Sequence, residues 1–181
     1  MPHILVTRPI DQALRFAKDL EIAGVKSKKI LIDPILRITA LGVAFNFSNV
    51  RGVLITSKNA LDHLPAGLDG LGLPVYCVGS ATTRLACERG FAAKNMGKTA
   101  EELRKSLAEI LPKGPLVHVR GSFTTIDFGS YFLDTDLKIE NLITYQQTEQ
   151  PLKLDTQNIL QTVRGVAVSY THLRAHETSS Y

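Results

Sequence analysis

Val75-Tyr76-Cys77-Val78-Gly79-Ser80-Ala81-Thr82-Thr83-Arg84-Leu85-Ala86-Cys87-Glu88-Arg89-Gly90 holds one complete structural unit. The unbroken apolar run Val75 to Val78 predicts a strand covered on both faces, as in a parallel sheet. Gly79-Ser80 supplies a turn, and Leu85 and Ala86 mark a helix that Gly90 caps. The same succession recurs outward in both directions. Expected strands are His3 to Thr7, Lys29 to Ile32, Ile35 to Ile38, Gly52 to Thr56, Val75 to Val78, Leu116 to Val119, Leu142 to Tyr145 and Val166 to Val168. Between them, Leu14, Ala17, Leu20 and Ala23 mark one helix and Ala60, Leu61 and Leu64 a short one. Thr99-Ala100-Glu101-Glu102 is a capping box that opens a helix carrying Leu103, Leu107, Ile110 and Leu111 as far as Pro112. Alternation of this kind specifies a doubly wound α/β fold.

Lys29 to Ile38 departs from the pattern, with two β-like runs separated only by Asp33-Pro34 and no helix between them. Such a segment suits a connector between two domains. A return crossing is then needed, and the polar, proline-terminated Gln146 to Pro151 fits it.

The 181 residues include 44% apolar residues, 21 Lys and Arg against 17 Asp and Glu, and no Trp, a composition of soluble globular proteins. No apolar run approaches the ~20 residues that span a bilayer. Met1 to Arg8 lacks the apolar core of a secretory signal, so a cytoplasmic protein without a membrane partner is expected. Cys77 and Cys87 have no CxxC spacing, which argues against a disulfide framework or a zinc site. Charge is uneven, with nine basic and four acidic side chains in residues 1–60 but four and seven in residues 121–181. Only Lys26, Lys28 and Lys29 cluster, and no basic stripe with interleaved aromatics exists. A small anionic ligand is expected rather than nucleic acid.

The strand ends carry the chemistry. Val6 leads to Thr7-Arg8-Pro9, Ile55 to Thr56-Ser57-Lys58-Asn59, Val78 to Gly79-Ser80-Ala81-Thr82, and Val119 to Arg120-Gly121-Ser122. In a parallel sheet these turns share the carboxyl edge, where α/β folds bind ligands, and helix N-termini there attract carboxylate or phosphate. For any single turn, helix capping explains Ser or Thr equally well, and a surface ion pair explains a lone Arg. Gly79, Ser80 and Thr82 form the best candidate, since Gly79 lets backbone approach a ligand. Tyr145 ends a strand beside Gln146 and Gln147, where its phenol can reach a cleft. No phosphate loop, dinucleotide fingerprint or nucleophile elbow is present. His3, His63 and His118 are scattered, and His118, inside an apolar strand, reads as a core histidine.

Six segments, ILVTRP (4–9), ITSKNAL (55–61), VYCVGSATTRLACERGF (75–91), KTAEELRKSL (98–107), LVHVRG (116–121) and TYQQT (144–148), resemble in order and spacing the uroporphyrinogen-III synthases. Each is loose alone, and the specificity lies in all six together over residues 1 to about 167. The resemblance implies two Rossmann- or flavodoxin-like parallel-sheet domains joined by two connecting strands. The first, residues 1–37 with 151–167, is discontinuous, and the second spans residues 38–150. It also implies a hydro-lyase that converts the linear tetrapyrrole hydroxymethylbilane, which bears eight carboxylates, to uroporphyrinogen III, working as a monomer without a cofactor or metal. The terminal hydroxyl leaves, ring D is attacked at its substituted carbon, and a spirocyclic pyrrolenine fragments and recloses with that ring inverted. Holding the chain folded favours this path over spontaneous closure to the uninverted isomer. By motif position, Tyr145 corresponds to a tyrosine that assists loss of the hydroxyl. Ser57 and Thr82 correspond to substrate-binding hydroxyls, with Gly79, Ser80 and Asn59 around them and Arg8 and Arg120 for carboxylates. Lys58-Asn59 stands where many relatives have Arg. A non-enzymatic α/β module for a small polyanion is the alternative, and a receiver-like nucleotide-binding domain ranks last.

The family continues beyond this length with a second Ser-containing turn and a second Gly-x-x-Thr turn. An incomplete first domain and weak or absent activity are therefore expected. Val168 to Thr178, VSYTHLRAHET, matches a translated sequencing-adapter string, so residues 168–181 are expected to be a non-native tail. The i, i+4 pair His172 and His176 then carries no meaning as a metal site.

Overall fold

A computed structural model describes residues 3–68, 70–124 and 126–168. The expected tail beyond Val168, with His172 and His176, lies outside the described residues. In chain order the elements are β1 (His3–Val6), α1 (Ile10–Ile22), β2 (Ile30–Ile32), β3 (Leu36–Ala40), β4 (Gly52–Ile55), α2 (Lys58–Asp62), β5 (Pro74–Cys77), α3 (Ser80–Glu88), β6 (Ala92–Asn95), α4 (Ala100–Ile110), β7 (Leu116–Gly121), α5 (Phe128–Tyr131), β8 (Ile139–Glu149), α6 (Leu154–Asn158) and β9 (Val163–Ala167). They form two compact units, one running to Ile38 and resuming at Gln147, the other Thr39–Gln146.

The first unit is built on a parallel sheet of order β2-β1-β9. Leu5 and Val6 of β1, Ala13 and Ala17 of α1 and Leu36 of β3 are its buried apolar residues among those described. The i, i+4 spacing of the two alanines lays a thin stripe of α1 against the sheet, which small side chains permit at close range. At the carboxyl end, the Thr7 N–H donates to the Ala167 carbonyl, and Asp33 accepts from the Lys153 N–H at 2.8 Å. The Asp33-Pro34 break thus ties the two chain passages of this unit together.

The second unit contains the βα unit Val75–Gly90. Its six-stranded sheet has the order β3-β8-β7-β4-β5-β6, and every pairing from β8 to β6 is parallel. Apart from β3, this is the doubly wound arrangement in which strand order reverses once, here between β4 and β7. Side chains alternate across it. Leu54, Tyr76 and Leu116 pack with Leu103 and Leu107 of α4 and with Phe128, Phe132 and Leu137. Leu103 and Leu107 are fully buried, each stabilising the fold by about 2 kcal/mol. The capping box forms in modified shape. Thr99 Oγ1 accepts from the Glu102 N–H, while Glu102 reaches back to the Lys98 N–H at 2.7 Å. Gly90, at φ +88°, completes a Schellman cap on α3, with Gly90 N–H bonded to Cys87 O and Phe91 N–H to Ala86 O.

Three elements were not expected from sequence. β6, Ala-Ala-Lys-Asn, lacks β-branched residues and is an exposed edge strand whose lysine suits that position. α5 has only four residues, held by fully buried Phe128, and α6 has five. β8 runs from Ile139 to Glu149, well beyond the expected Leu142 to Tyr145. Its polar half pairs with β3: the Leu41 N–H bonds Thr144 O at one end and the Gln150 N–H bonds Ile35 O at the other, which sets the two strands antiparallel.

Among the described residues no helix is long and apolar enough to cross a membrane, and no group of three or more His, Cys, Asp or Glu could hold a metal ion.

Candidate active site

The strand order of the second unit brings three turns side by side. Arg120 and Gly121 end β7, Ser57 and Asn59 follow β4, and Gly79, Ser80 and Thr82 follow β5, whereas Tyr145 does not end a strand as expected from sequence but lies within β8, level with the end of β7. At ~4.8 Å per strand this edge extends roughly 15 Å. Its centre is the reversal between β4 and β7, where open α/β sheets bind ligands.

Ser57 is the N-cap of α2. Its Oγ accepts from the Ala60 N–H at 3.1 Å and lies 3.2 Å from the Tyr145 hydroxyl. Capping and site geometry therefore coincide in one side chain. The bond to Tyr145 depends on an irregularity in β8. Arg120 pairs with Ile143, but the next residue, Gly121, pairs with Tyr145, so Thr144 is an extra residue. A bulge of this kind re-aims a side chain. Neighbouring residues of β7 face opposite sides, so Tyr145 shares the face of Gly121 and not that of Arg120. The ring of His63 lies on the Tyr145 side as well, with its centroid 5.2 Å from the phenol ring, and its Nδ1 is 2.8 Å from the Asn59 carbonyl.

Tyr145 is only 3% exposed. Its phenol reaches the half-buried Ser57 hydroxyl. Burial raises its pKa above the ordinary 10, opposed by the Ser57 hydrogen bond, a Gly121 backbone bond and the Arg120 charge. The phenol is therefore protonated throughout the neutral range.

Arg120 is half-buried, and its Nε and Nη1 are buried without a hydrogen-bond partner among the described residues. Two buried donors left unpaired are costly, and an incoming anion repays that cost. On the same strand, His118 is fully buried, with Nε2 3.2 Å from Thr56 Oγ1 and its ring edge-on to Phe128. Burial, reinforced by the Arg120 charge, pushes its pKa down to about 4, against weaker opposite effects from Asn141 and Asp127. The histidine is neutral at pH 7.

Gly79 caps α3 at φ +78° and ψ 141°, and an added Cβ there would meet no atom within 4 Å. The space over this turn is open, but the backbone conformation favours glycine. Its N–H is bound to Gly97 O at 2.7 Å, so the free donors are those further into α3. Ser80 is exposed, whereas Thr82 and Asn59 are buried, at 7% and 5%. Arg8 belongs to the first unit. Its Nε donates to the Val168 carbonyl at 3.2 Å, and its guanidinium lies 4.4 Å from the centre of the Phe16 ring. Lys58 is exposed. His63 and the Thr144 bulge carried no sequence signal, because their importance comes from pairing across β7, β8 and α2.

Comparison with the curated proteins finds no match. Among solved structures, the chain resembles uroporphyrinogen-III synthetase from Helicobacter pylori, at 16% identity and TM-score 0.58, covering 88% of this chain and 68% of that one. It also resembles a mutant uroporphyrinogen III synthase from the extremely thermophilic bacterium Thermus thermophilus, at 16% identity and TM-score 0.57, covering 93% and 72%. These likenesses establish the shared two-domain α/β fold. The family model for uroporphyrinogen-III synthase HemD matches residues 15–170, most of the sequence, and the chain therefore belongs to the uroporphyrinogen-III synthase family.

Proposed function

We propose that this protein is a hydro-lyase that closes hydroxymethylbilane with inversion of ring D, using Tyr145 and Ser57 to remove the terminal hydroxyl. The observation that carries the reading is the 3.2 Å contact between the Ser57 and Tyr145 hydroxyls across the sheet's reversal point. Ser57 touches the departing hydroxyl, and Tyr145 replenishes its proton. The hydroxyl leaves as water, giving an N-protonated, electrophilic azafulvene. Cyclisation returns a proton when ring D regains its aromatic system, which restores the phenol, so the balance is loss of one water. Between these steps the phenolate is supported by Gly121 and by the Arg120 charge.

Arg120 takes one substrate carboxylate with its unpaired Nε and Nη1, and the exposed Ser80 with the N-terminal turn of α3 takes another. Thr82, Asn59 and Gly79 shape the edge rather than contact a carboxylate through free side chains. Arg8 supports the first unit's carboxyl edge. The protein acts as a monomer in the cytoplasm and needs no cofactor, since the azafulvene is itself the reactive species.

Hydroxymethylbilane is the test substrate. In a version that carries the family's second Ser-containing and Gly-x-x-Thr turns, formation of the inverted isomer faster than spontaneous closure supports the synthase reading, and only the uninverted isomer at the spontaneous rate defeats it. Tyr145→Phe should lower turnover about 100-fold, the lower range for a general acid, with an unchanged circular dichroism spectrum. Unchanged turnover removes Tyr145 from the mechanism and leaves the synthase reading standing.

A further inference from the structure

The amino-terminal edge of the first unit's sheet, the end opposite Arg8, holds a cavity of about 370 Å³. It is lined by His3 and Ile4 of β1, Gly24, Val25 and Lys26 after α1, Lys29 before β2, and Arg164 of β9. Three cations from two chain segments, Lys26 and Lys29 in the turn between α1 and β2 and Arg164 on β9, converge there, and no carboxylate is among the lining residues. None of the three makes an ion pair with a described residue. Glu21, the carboxylate in the adjoining turn, accepts from Ser27 Oγ at 2.5 Å.

Two ordinary explanations fall short. Cations near a helix C-terminus offset its partial negative charge, but that charge is about half a unit against three formal positive charges here. A backbone anion nest is also absent, because the N–H groups of Ala23, Gly24 and Val25 are bonded to Asp19, Glu21 and Leu20. Recognition falls to the side chains. Gly24 leaves the floor open, with no atom within 4 Å of where a Cβ would stand.

We propose that this cavity is a binding site for a phosphate dianion. A tetrahedral group offers several oxygens in different directions, which suits three cations arriving from two separate segments better than a planar carboxylate does. His3 Nδ1 lies 2.9 Å from Thr162 Oγ1, which fixes the imidazole at the cavity wall. The site is independent of the synthase reading.

The test is titration calorimetry of the full chain with inorganic phosphate, glycerol phosphate and succinate at pH 7.5 and constant ionic strength. Amide resonances of Gly24, Val25 and Lys26 are followed in parallel. Saturable phosphate binding that shifts these resonances is expected, with weaker binding of succinate. Lys29→Ala with Arg164→Ala should weaken it about tenfold or more at unchanged circular dichroism. Lys26→Gln, in the exposed turn, gives a second reading should the double variant fail to fold. Ester binding tighter than inorganic phosphate keeps the site but assigns it to a phosphorylated metabolite. Succinate binding as well as phosphate, no saturable binding, or variants with unchanged affinity overturn the proposal.

Discussion

His118 should make the second unit acid-sensitive. Its ring is fully buried and neutral, with a pKa of about 4 against an ordinary 6.5. The unfolded chain therefore takes up the proton at a higher pH than the folded protein. The stabilisation is complete above about pH 6.5 and lost as the pH falls through about 4. The full difference corresponds to about 3 kcal/mol, of which about 2 kcal/mol is lost between pH 7 and pH 5. Carboxylates also respond to acid, so a reference is needed. His118→Gln does not titrate in this range and can still hydrogen bond Thr56. Tyr76, Tyr131 and Tyr145 all lie in the second unit, so urea unfolding followed by near-ultraviolet circular dichroism reports on it. From pH 7 to pH 5 the wild-type protein should lose about 2 kcal/mol more than His118→Gln. Parallel losses in the two proteins would refute the reasoning, because they would show that His118 protonates equally in both states.

Ser57→Ala removes both the cap of α2 and the partner of Tyr145. It should cost about 1 kcal/mol in urea unfolding and lower kcat, with the kcat loss persisting at temperatures where the variant is fully folded. Gly97→Ala should destabilise by about 2 kcal/mol, because Gly97 has φ +142° and an added methyl would collide with Glu102 Cβ. A melting temperature within a degree of wild type would contradict it.

The reading of Val75–Gly90 succeeded because each of its signals is local. An apolar run, a turn glycine and a C-cap glycine act within one turn of chain, so β5, α3 and its Schellman cap follow from residue order. The capping box at Thr99 is legible for the same reason. β6 was not, because an edge strand is stabilised by its neighbour and not by its own residues. α5 depends on Phe128 reaching a core that distant segments build.

The sequence by itself determined the α/β alternation, the hydroxyl and glycine residues that end the strands, and the family through six segments in order. Periodicity, caps and motif order are carried by neighbouring residues. The tertiary structure alone decided that the fold reverses between β4 and β7, that the Thr144 bulge turns Tyr145 toward Ser57, and that Arg8 stands in a different unit from the other candidates. It also placed Lys26, Lys29 and Arg164 around one cavity. Strand order and register are set by pairings between residues far apart in the chain, and the local pattern of each strand leaves them open.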